Sequence, residues 1–498
     1  MTETITIIDT AVPATLPYGF ARRNGVLLRP ADTPGMSECL FRPDAPLDAL
    51  IEVQRIAPHA PQREVEPTAF DEALAAAYAD RAGMAADFDM DATDLAALAD
   101  SAAQVDDLLD SRDDSPVIRL INALLMEAIK EGASDVHVET QEKRLIVRFR
   151  VDGVLRDVLE PQRALAPLLV SRIKVMAKLD IAEKRIPQDG RVTLRIGGHD
   201  VDARVSTIPT QHGERVVLRL LERGGMTLDM AALGMSERDR ETFARLLDRP
   251  HGMLLVTGPT GSGKTTTLYT ALTRLNDRKR NVMTVEDPIE YELAGIAQTQ
   301  VNPKTDMTFA RGLRAILRQD PDVIMVGEIR DQETAEVAVR SSMTGHFVLS
   351  TLHTNSAVGS ITRLIDMGVE RYLLAPMVVG LVAQRLVRKL CPECRVEDVA
   401  SEADSVLLGR ALAVGERIWR AAGCDACHSE GYRGRAGLYE VVAVDDRLQG
   451  MIHDGASEAD LEREARKANP SLLADGVAKV RAGLTSVDEV ARVTRDEG

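Results

Sequence analysis

The run MLLVTGPTGSGKTT, Met253 to Thr266, decides the fold. Its opening, Met253 to Val256, is a short apolar stretch of the kind that forms a buried strand. The next residues, Gly258-Pro259-Thr260-Gly261-Ser262-Gly263-Lys264-Thr265, fit GxxxxGK[ST] and lead into a helical pattern that starts near Lys264. Glycines let successive backbone N–H groups turn inward at a helix N-terminus, which makes a nest for an anion. Lys264 then reaches the β- and γ-phosphates, the Thr265 hydroxyl can ligate Mg²⁺, and Thr266 completes the first turn. A plain Gly-rich turn would explain the glycines but not the strand before them and the helix after.

Downstream of this loop, apolar runs at Val282–Val285, Val323–Val326 and Phe347–Leu349 alternate with helical patterns at 264–275, 309–318, 335–343 and 357–367. This is the βαβ rhythm of a mostly parallel sheet, so the fold class is α/β. Phosphoryl transfer also needs groups that place water and hold metal. Two acidic clusters come after strands of the same sheet, where open α/β sheets bind ligands. In Val285-Glu286-Asp287-Pro288-Ile289-Glu290, Pro288 stops the strand and the acids emerge at its carboxyl end. In Asp322 to Glu328, Gly327 stands where many phosphate-loop proteins carry a metal-binding Asp. That leaves Glu328 nearest the expected Mg²⁺ and gives Glu286 the water-activating role. His346 and His353 flank the Phe347–Leu349 strand, placed to sense the γ-phosphate.

Upstream, Ser115-Pro116 is an N-cap followed by Pro at the first helical position, and Val117, Leu120, Ile121, Leu124, Leu125 and Ile129 recur at helical spacing. Two alternating runs, 135–139 and 144–151, read as a β-hairpin, with a turn at Asp152-Gly153. These begin a mixed α/β domain over 116–235. Residues 66–115 shift to Ala, Asp and Leu, with Arg81 and Arg112 as their only basic residues, and read as an acidic linker. Residues 1–65 form a small N-terminal domain.

At 498 residues the chain has room for about three domains at roughly 150 residues each. Its 61 basic and 77 acidic residues give −16, and only 3% of residues are aromatic, which argues against a nucleic-acid translocase. No apolar run approaches the roughly 18 residues that cross a bilayer, and Met1 to Thr10 does not read as a signal peptide. A cytoplasmic protein is expected. Four of the five cysteines form Cys391-Pro-Glu-Cys394 and Cys424-Asp-Ala-Cys427, separated by 29 residues. Four thiolates at this spacing suit tetrahedral Zn²⁺ at a closed structural site; His428 is adjacent, but four cysteines already fill the shell.

Together, the VEDPIEY run from Val285, GEIRD from Gly327 and TGHFVLSTLHTN from Thr344 resemble the Asp box, Walker B and His box of secretion ATPases. That group comprises type II secretion and type IV pilus motors. The resemblance extends through GASDVHVE at 132–139, RFRVDGVLR at 148–156, RIPQDGRV at 185–192 and ARVSTIPTQHGERVVLRLL at 203–221, covering about 116–498. It implies a hexameric ring in which a PAS-like domain is joined to a RecA-like ATPase domain, 236–498. Within the latter it implies a zinc-binding segment, 391–437, and a helical C-terminal part, 438–498. It implies ATP, Mg²⁺ and Zn²⁺ as cofactors, and arginines closing over the phosphates: Arg204, Arg219, Arg314, Arg318 and Arg435. The tetracysteine element resembles secretion and pilus-assembly ATPases, whereas retraction motors lack it. LPYGFARRNGVLL from Leu16 resembles the opening of type II secretion ATPases, which dock through this domain on the cytoplasmic part of a bitopic inner-membrane protein. The resemblance therefore implies a motor for pseudopilus assembly, recruited peripherally to the inner membrane beside a polytopic platform protein, with no nucleic acid. A type IV pilus extension ATPase is the neighbouring alternative.

Overall fold

The computed structural model describes residues 24–30, 37–58, 60–67, 116–196, 199–222 and 228–494, with a few isolated positions outside these ranges. The chain divides into two compact units, Met1–Arg223 and Gly224–Gly498. Of LPYGFARRNGVLL, the part from Asn24 onward is described together with Leu16 and Ala21; most of the acidic segment lies outside the described residues.

In the first unit, β1 (Val26–Pro30) pairs antiparallel with β2 (Ser37–Phe41). Helix α1 (Leu47–Ile56) and the parallel strand β3 (Gln62–Glu64) come next. Across β1 and β2, Arg29 Nε donates to its register partner Glu38 at 2.7 Å. Leu27, Leu40, Ala49 and Val53 make a small core that also takes in Phe70, five residues beyond the expected boundary at 65.

The second layer of this unit begins with α2 (Pro116–Lys130), whose Val117, Leu120, Ile121, Leu124, Leu125 and Ala128 are buried as the helical spacing requires. It packs on a six-stranded antiparallel sheet together with α3 (Leu165–Met176). The strands are β4 (Ala133–Thr140), β5 (Leu145–Val151), β6 (Val154–Leu159), β7 (Gln188–Ile196), β8 (His199–Thr210) and β9 (Gly213–Glu222). Their spatial order is β6-β5-β4-β9-β8-β7. Between β5 and β6, Asp152 and Gly153 both take positive φ, 50° and 88°, the pair a tight hairpin turn demands. Because strand side chains alternate, Val136, Val138, Val147 and Phe149 face the helices, while Asp135, His137, Arg148 and Arg150 lie on the opposite face. Leu95 and Ala99 are also buried in this core. Part of the acidic segment is thus docked, which corrects its reading as a linker throughout. An Asp-rich sequence with Leu and Ala at i and i+4 can hold one apolar stripe against a partner.

The second unit starts with α4 (Glu237–Leu247). Leu228, Leu233 and Met235 pack with it on the core of this unit, so the expected 116–235 domain ends earlier, at Arg223. The sheet strands are β10 (Gly252–Thr257), β11 (Val282–Glu286), β12 (Ala297–Gln300), β13 (Val323–Val326), β14 (Phe347–Leu352) and β15 (Val378–Leu390). After β15, the two-stranded ladder β16 (Val396–Val399) and β17 (Arg417–Arg420) accompanies the cysteine segment, and β18 (Tyr432–Ala443) returns to the main sheet. The order is β12-β11-β13-β14-β10-β15-β18, parallel except for the antiparallel β15–β18 pair. Helix α5 (Lys264–Leu275) leads on from the loop; α6 (Phe309–Ile316), α7 (Gln332–Met343) and α8 (Gly359–Asp366) make the crossovers. β18 corrects the expectation of a wholly helical part from 438. Leu438, Tyr439, Val441 and Val442 are buried on both faces of the sheet, so this strand shows no polar alternation to announce it.

Candidate nucleotide site

Every residue of β10 is buried, and the chain leaves its carboxyl end between β14 and β15 to form the phosphate loop. Gly263 caps α5 with φ 87°, and a Cβ there would come within 2.8 Å of Gln384 Nε2. Lys264 Nζ donates to the carbonyls of Gly258 (2.8 Å) and Pro259 (3.0 Å) across the loop. Burial pushes its pKa down to about 8; Arg385 adds to that and Glu328 opposes it. Ser262 Oγ is buried without a hydrogen-bond partner among the described residues, a donor set to meet a ligand oxygen. Thr265 is exposed at the loop mouth. Beneath it, Thr257 Oγ1 receives the Thr354 backbone N–H (2.9 Å) and pairs with Thr354 Oγ1 (2.6 Å), tying the loop base to the end of β14.

The two carboxylates have opposite environments. Glu286 is 3% exposed. Oε1 accepts from Thr284 Oγ1 (2.5 Å) and Gln298 Nε2 (3.0 Å), and Oε2 from the Tyr269 hydroxyl. Both oxygens are committed to side-chain donors, so the water-activating role expected of Glu286 does not fit its surroundings. Glu328, by contrast, lies where its charge acts on Lys264, paired with Arg330 and 3.4 Å from His353 Nε2. At Gly327 a Cβ would lie 3.3 Å from Val285 O and 3.5 Å from the Phe309 ring, and its N–H donates to that same carbonyl at 2.8 Å. Close approach of β11 and β13 accounts for glycine where an Asp was looked for.

His353 is half exposed beside Glu328. His346 is at the other end of β14, its Nδ1 2.9 Å from Ser341 O and 3.0 Å from Thr344 Oγ1. Six residues of strand, about 20 Å, separate it from the loop side, so it cannot sense a phosphate in its own subunit. Arg314 pairs with Glu333, and Arg318 donates to Arg314 O at 2.7 Å. Both stand near the end of α6, which leads toward the amino edge of β13, away from the loop of the same chain. In the first unit, Arg219 Nε donates to Asp135 Oδ1 at 2.9 Å, and Arg204 is its register partner on β8. Arg435 is exposed on β18 opposite Arg388.

Sequence reading missed Tyr269, Gln384 and Arg385. Gln384 Oε1 accepts from Thr267 Oγ1 (2.7 Å) and its carbonyl lies against Gly258, so it forms the wall behind the loop. The available signal was an amide and a guanidinium inside the otherwise apolar strand 378–387.

The four cysteines come together apart from this site. Sγ separations are 3.9 Å for Cys391–Cys424, 3.7 Å for Cys394–Cys427 and 3.7 Å for Cys424–Cys427, and all four sulfurs lie within 4.8 Å of one another. A tetrahedron with metal–sulfur bonds of ~2.3 Å has edges of about 3.8 Å. Backbone N–H groups of Cys424 (3.2 Å) and Gly431 (3.1 Å) donate to Cys427 Sγ. Burial works to raise that thiol, but these donors outweigh it and bring it down to about 7. The group can hold a metal ion; His428 is not part of it.

A phosphate loop at the carboxyl end of a RecA-like sheet, with a Walker B glutamate beside it, defines a phosphate-loop ATPase. The family model described as type II/IV secretion system protein matches residues 110–492, and that of an amino-terminal domain of GSPII protein E matches 15–78. The chain is 59% identical over 491 residues to type II secretion system protein E of Pseudomonas aeruginosa, covering 98% of this chain and 97% of that one. It is 53% identical to type II secretion system ATPase E of Vibrio cholerae, with 97% of each covered. Among solved structures, the pilus retraction motor PilT with bound ADP matches 76% of this chain and 97% of its own, at TM-score 0.53 and 26% identity. The Legionella pneumophila ATPase DotB, at TM-score 0.57 and 20% identity, shares the fold over 75% of this chain and 95% of its own. The chain belongs to the type II/IV secretion system protein family, among its type II secretion ATPases.

Proposed function

We propose that this ATPase drives type II protein secretion with Lys264 and Glu328 at the centre of its chemistry. The observation that carries the reading is Glu328, held at the carboxyl end of β13 by Arg330 and His353 and within the field of Lys264. The N–H groups of the loop and Lys264 bind the β- and γ-phosphates, and Ser262 Oγ donates to a phosphate oxygen. Glu328 orients a water in line with the γ-phosphorus and takes its proton as the new P–O bond forms. The bond from the γ-phosphorus to the β–γ bridging oxygen breaks, leaving ADP and phosphate. Mg²⁺, when bound, neutralises phosphate charge, and Thr265 Oγ1 and Glu328 would hold it or its water shell. Glu286 is a positioning residue that ties β11 to α5.

Arg314 and Arg318, turned from the loop of their own chain, fit a role at a neighbour's phosphates in a hexamer, together with Arg204 and Arg219. Arg435 serves the nucleotide on its own chain. Charge from fixed guanidiniums is worth most as the phosphoryl group leaves. The sulfur spacing supports zinc at Cys391, Cys394, Cys424 and Cys427, stabilising the segment without an open coordination position. No helix among the described residues is long and apolar enough to cross a membrane, which suits recruitment to the cytoplasmic face of the inner membrane through partners. Those partners are a bitopic protein bound by the N-terminal domain and the polytopic platform protein. High identity to type II secretion proteins along nearly the whole chain favours this machine over a pilus extension motor.

Full-length Glu328→Gln should keep ATP binding and lose at least about 100-fold in turnover, whereas Lys264→Ala should lose both. Steady-state phosphate release with a parallel thermal melt checks this. Normal turnover in both folded variants overturns the assignment.

A further inference from the structure

Arg385 has no part in the mechanism above, yet its guanidinium lies against the phosphate loop. It comes directly after Gln384 on β15, the strand beside β10. Nη1 donates to the carbonyl of Gln384 (3.1 Å) and Nη2 to that of Asn355 (3.0 Å), which belongs to the segment after β14. The side chain therefore reaches from β15 past β10 toward the histidine-bearing loop. On the way it passes Gly258, where a Cβ would sit 3.2 Å from Nη1. Its charge acts directly on Lys264. Two cations are thus fixed near each other beside a ring of inward backbone N–H groups. The acid in that field, Glu328, is already engaged by Arg330 and His353. An arginine cannot shed its proton, so this concentration of positive charge is costly until an anion enters. A planar guanidinium braced by main-chain carbonyls is preorganised to donate to a phosphate.

We propose that Arg385 binds the polyphosphate of the nucleotide in its own subunit, donating to a β- or γ-phosphate oxygen from the β15 side while Lys264 donates from the loop. This rests on the reading of Gly258–Thr265 as the ATP site. The competing role is a pin that only holds the Asn355 segment to β15.

Equilibrium binding to the full-length chain separates the two, with a fluorescent ATP analogue displaced by ATP or by inorganic tripolyphosphate. Arg385→Gln should weaken ATP and tripolyphosphate by about 10- to 100-fold at an unchanged melting temperature, and Arg385→Lys should recover part of the loss. Tripolyphosphate affinity equal to the wild type in Arg385→Gln overturns the proposal. Should that variant fail to fold, Arg385→Lys decides: a several-fold loss supports phosphate contact, and unchanged affinity defeats it. Lys264→Ala runs alongside, and undiminished affinity there would overturn the nucleotide-site reading itself.

Discussion

Tyr269→Phe tests how the phosphate-loop helix is coupled to the sheet. Tyr269 is wholly buried on α5, and its hydroxyl donates to Glu286 Oε2 and accepts from the Glu290 N–H at 3.3 Å. Burial first, then the Glu286 charge, pushes the phenol pKa far above its usual 10, so it remains a donor across the physiological range. Phenylalanine keeps the edge-on ring contact with Tyr291, whose centroid is 4.7 Å away, so the apolar packing is constant. What disappears is one of three donors to a buried carboxylate. A hydrogen bond to a charged group contributes ~1.5–3 kcal/mol, and ~2 kcal/mol in a unit of this size lowers Tm by about 4–8 °C. Glu286→Gln alone and the double variant complete a cycle, with a coupling of about 1–2 kcal/mol expected. Calorimetric melting of the full-length chain, following the transition that nucleotide raises, reads all four. A Tyr269→Phe shift under ~1 °C, or effects that simply add, would refute the idea that this contact joins helix and strand.

The remainder of the second unit carries two further expectations. Purified chain should carry one zinc, and Cys424→Ser with Cys427→Ser should lose it, raising hydrogen exchange across 391–431 while the phosphate loop keeps its protection; a metal-free wild type with unaltered exchange there contradicts this. Asp404 is buried, which by itself raises its pKa, but donors from Arg420 and Ser401 outweigh burial and bring it down to about 2. Its contribution to stability is therefore complete above ~pH 4 and is lost as pH falls toward 2. Asp404→Asn should flatten that limb of the stability curve, and an unchanged acid limb would count against the pairing.

Much of the motor was legible because its signals are local. Strand β13 and helix α5 have the bounds their apolar spacing predicts, and the loop lies between strand and helix as its motif requires. Glu286 shows where that approach stops: an acid at the end of a strand looks available to water, and only the fold reveals that Tyr269, Thr284 and Gln298 enclose it. His346 and His353 are equivalent as neighbours of one strand, yet strand direction sends one to the site and one to the far edge. Leu95 and Ala99 were hidden for a compositional reason, since two apolar residues among many acids carry little weight until a partner surface exists. Arg385 escaped because its role depends on carbonyls contributed by two strand ends that are distant in sequence.

Strand β15 is one continuous piece of chain with two very different tenants. Gln384 and Arg385 stand against the phosphate loop, and seven residues past Gln384 the same backbone delivers Cys391 to the cysteine group, ~23 Å away for an extended strand. A hydrogen-bonded strand resists stretching, so it behaves as a spar: whatever tilts its nucleotide end must swing its metal end. The irregularity in the β15–β18 register between Arg388 and Leu390 is the one flaw in that spar, just before the cysteines. There a push would become a bend.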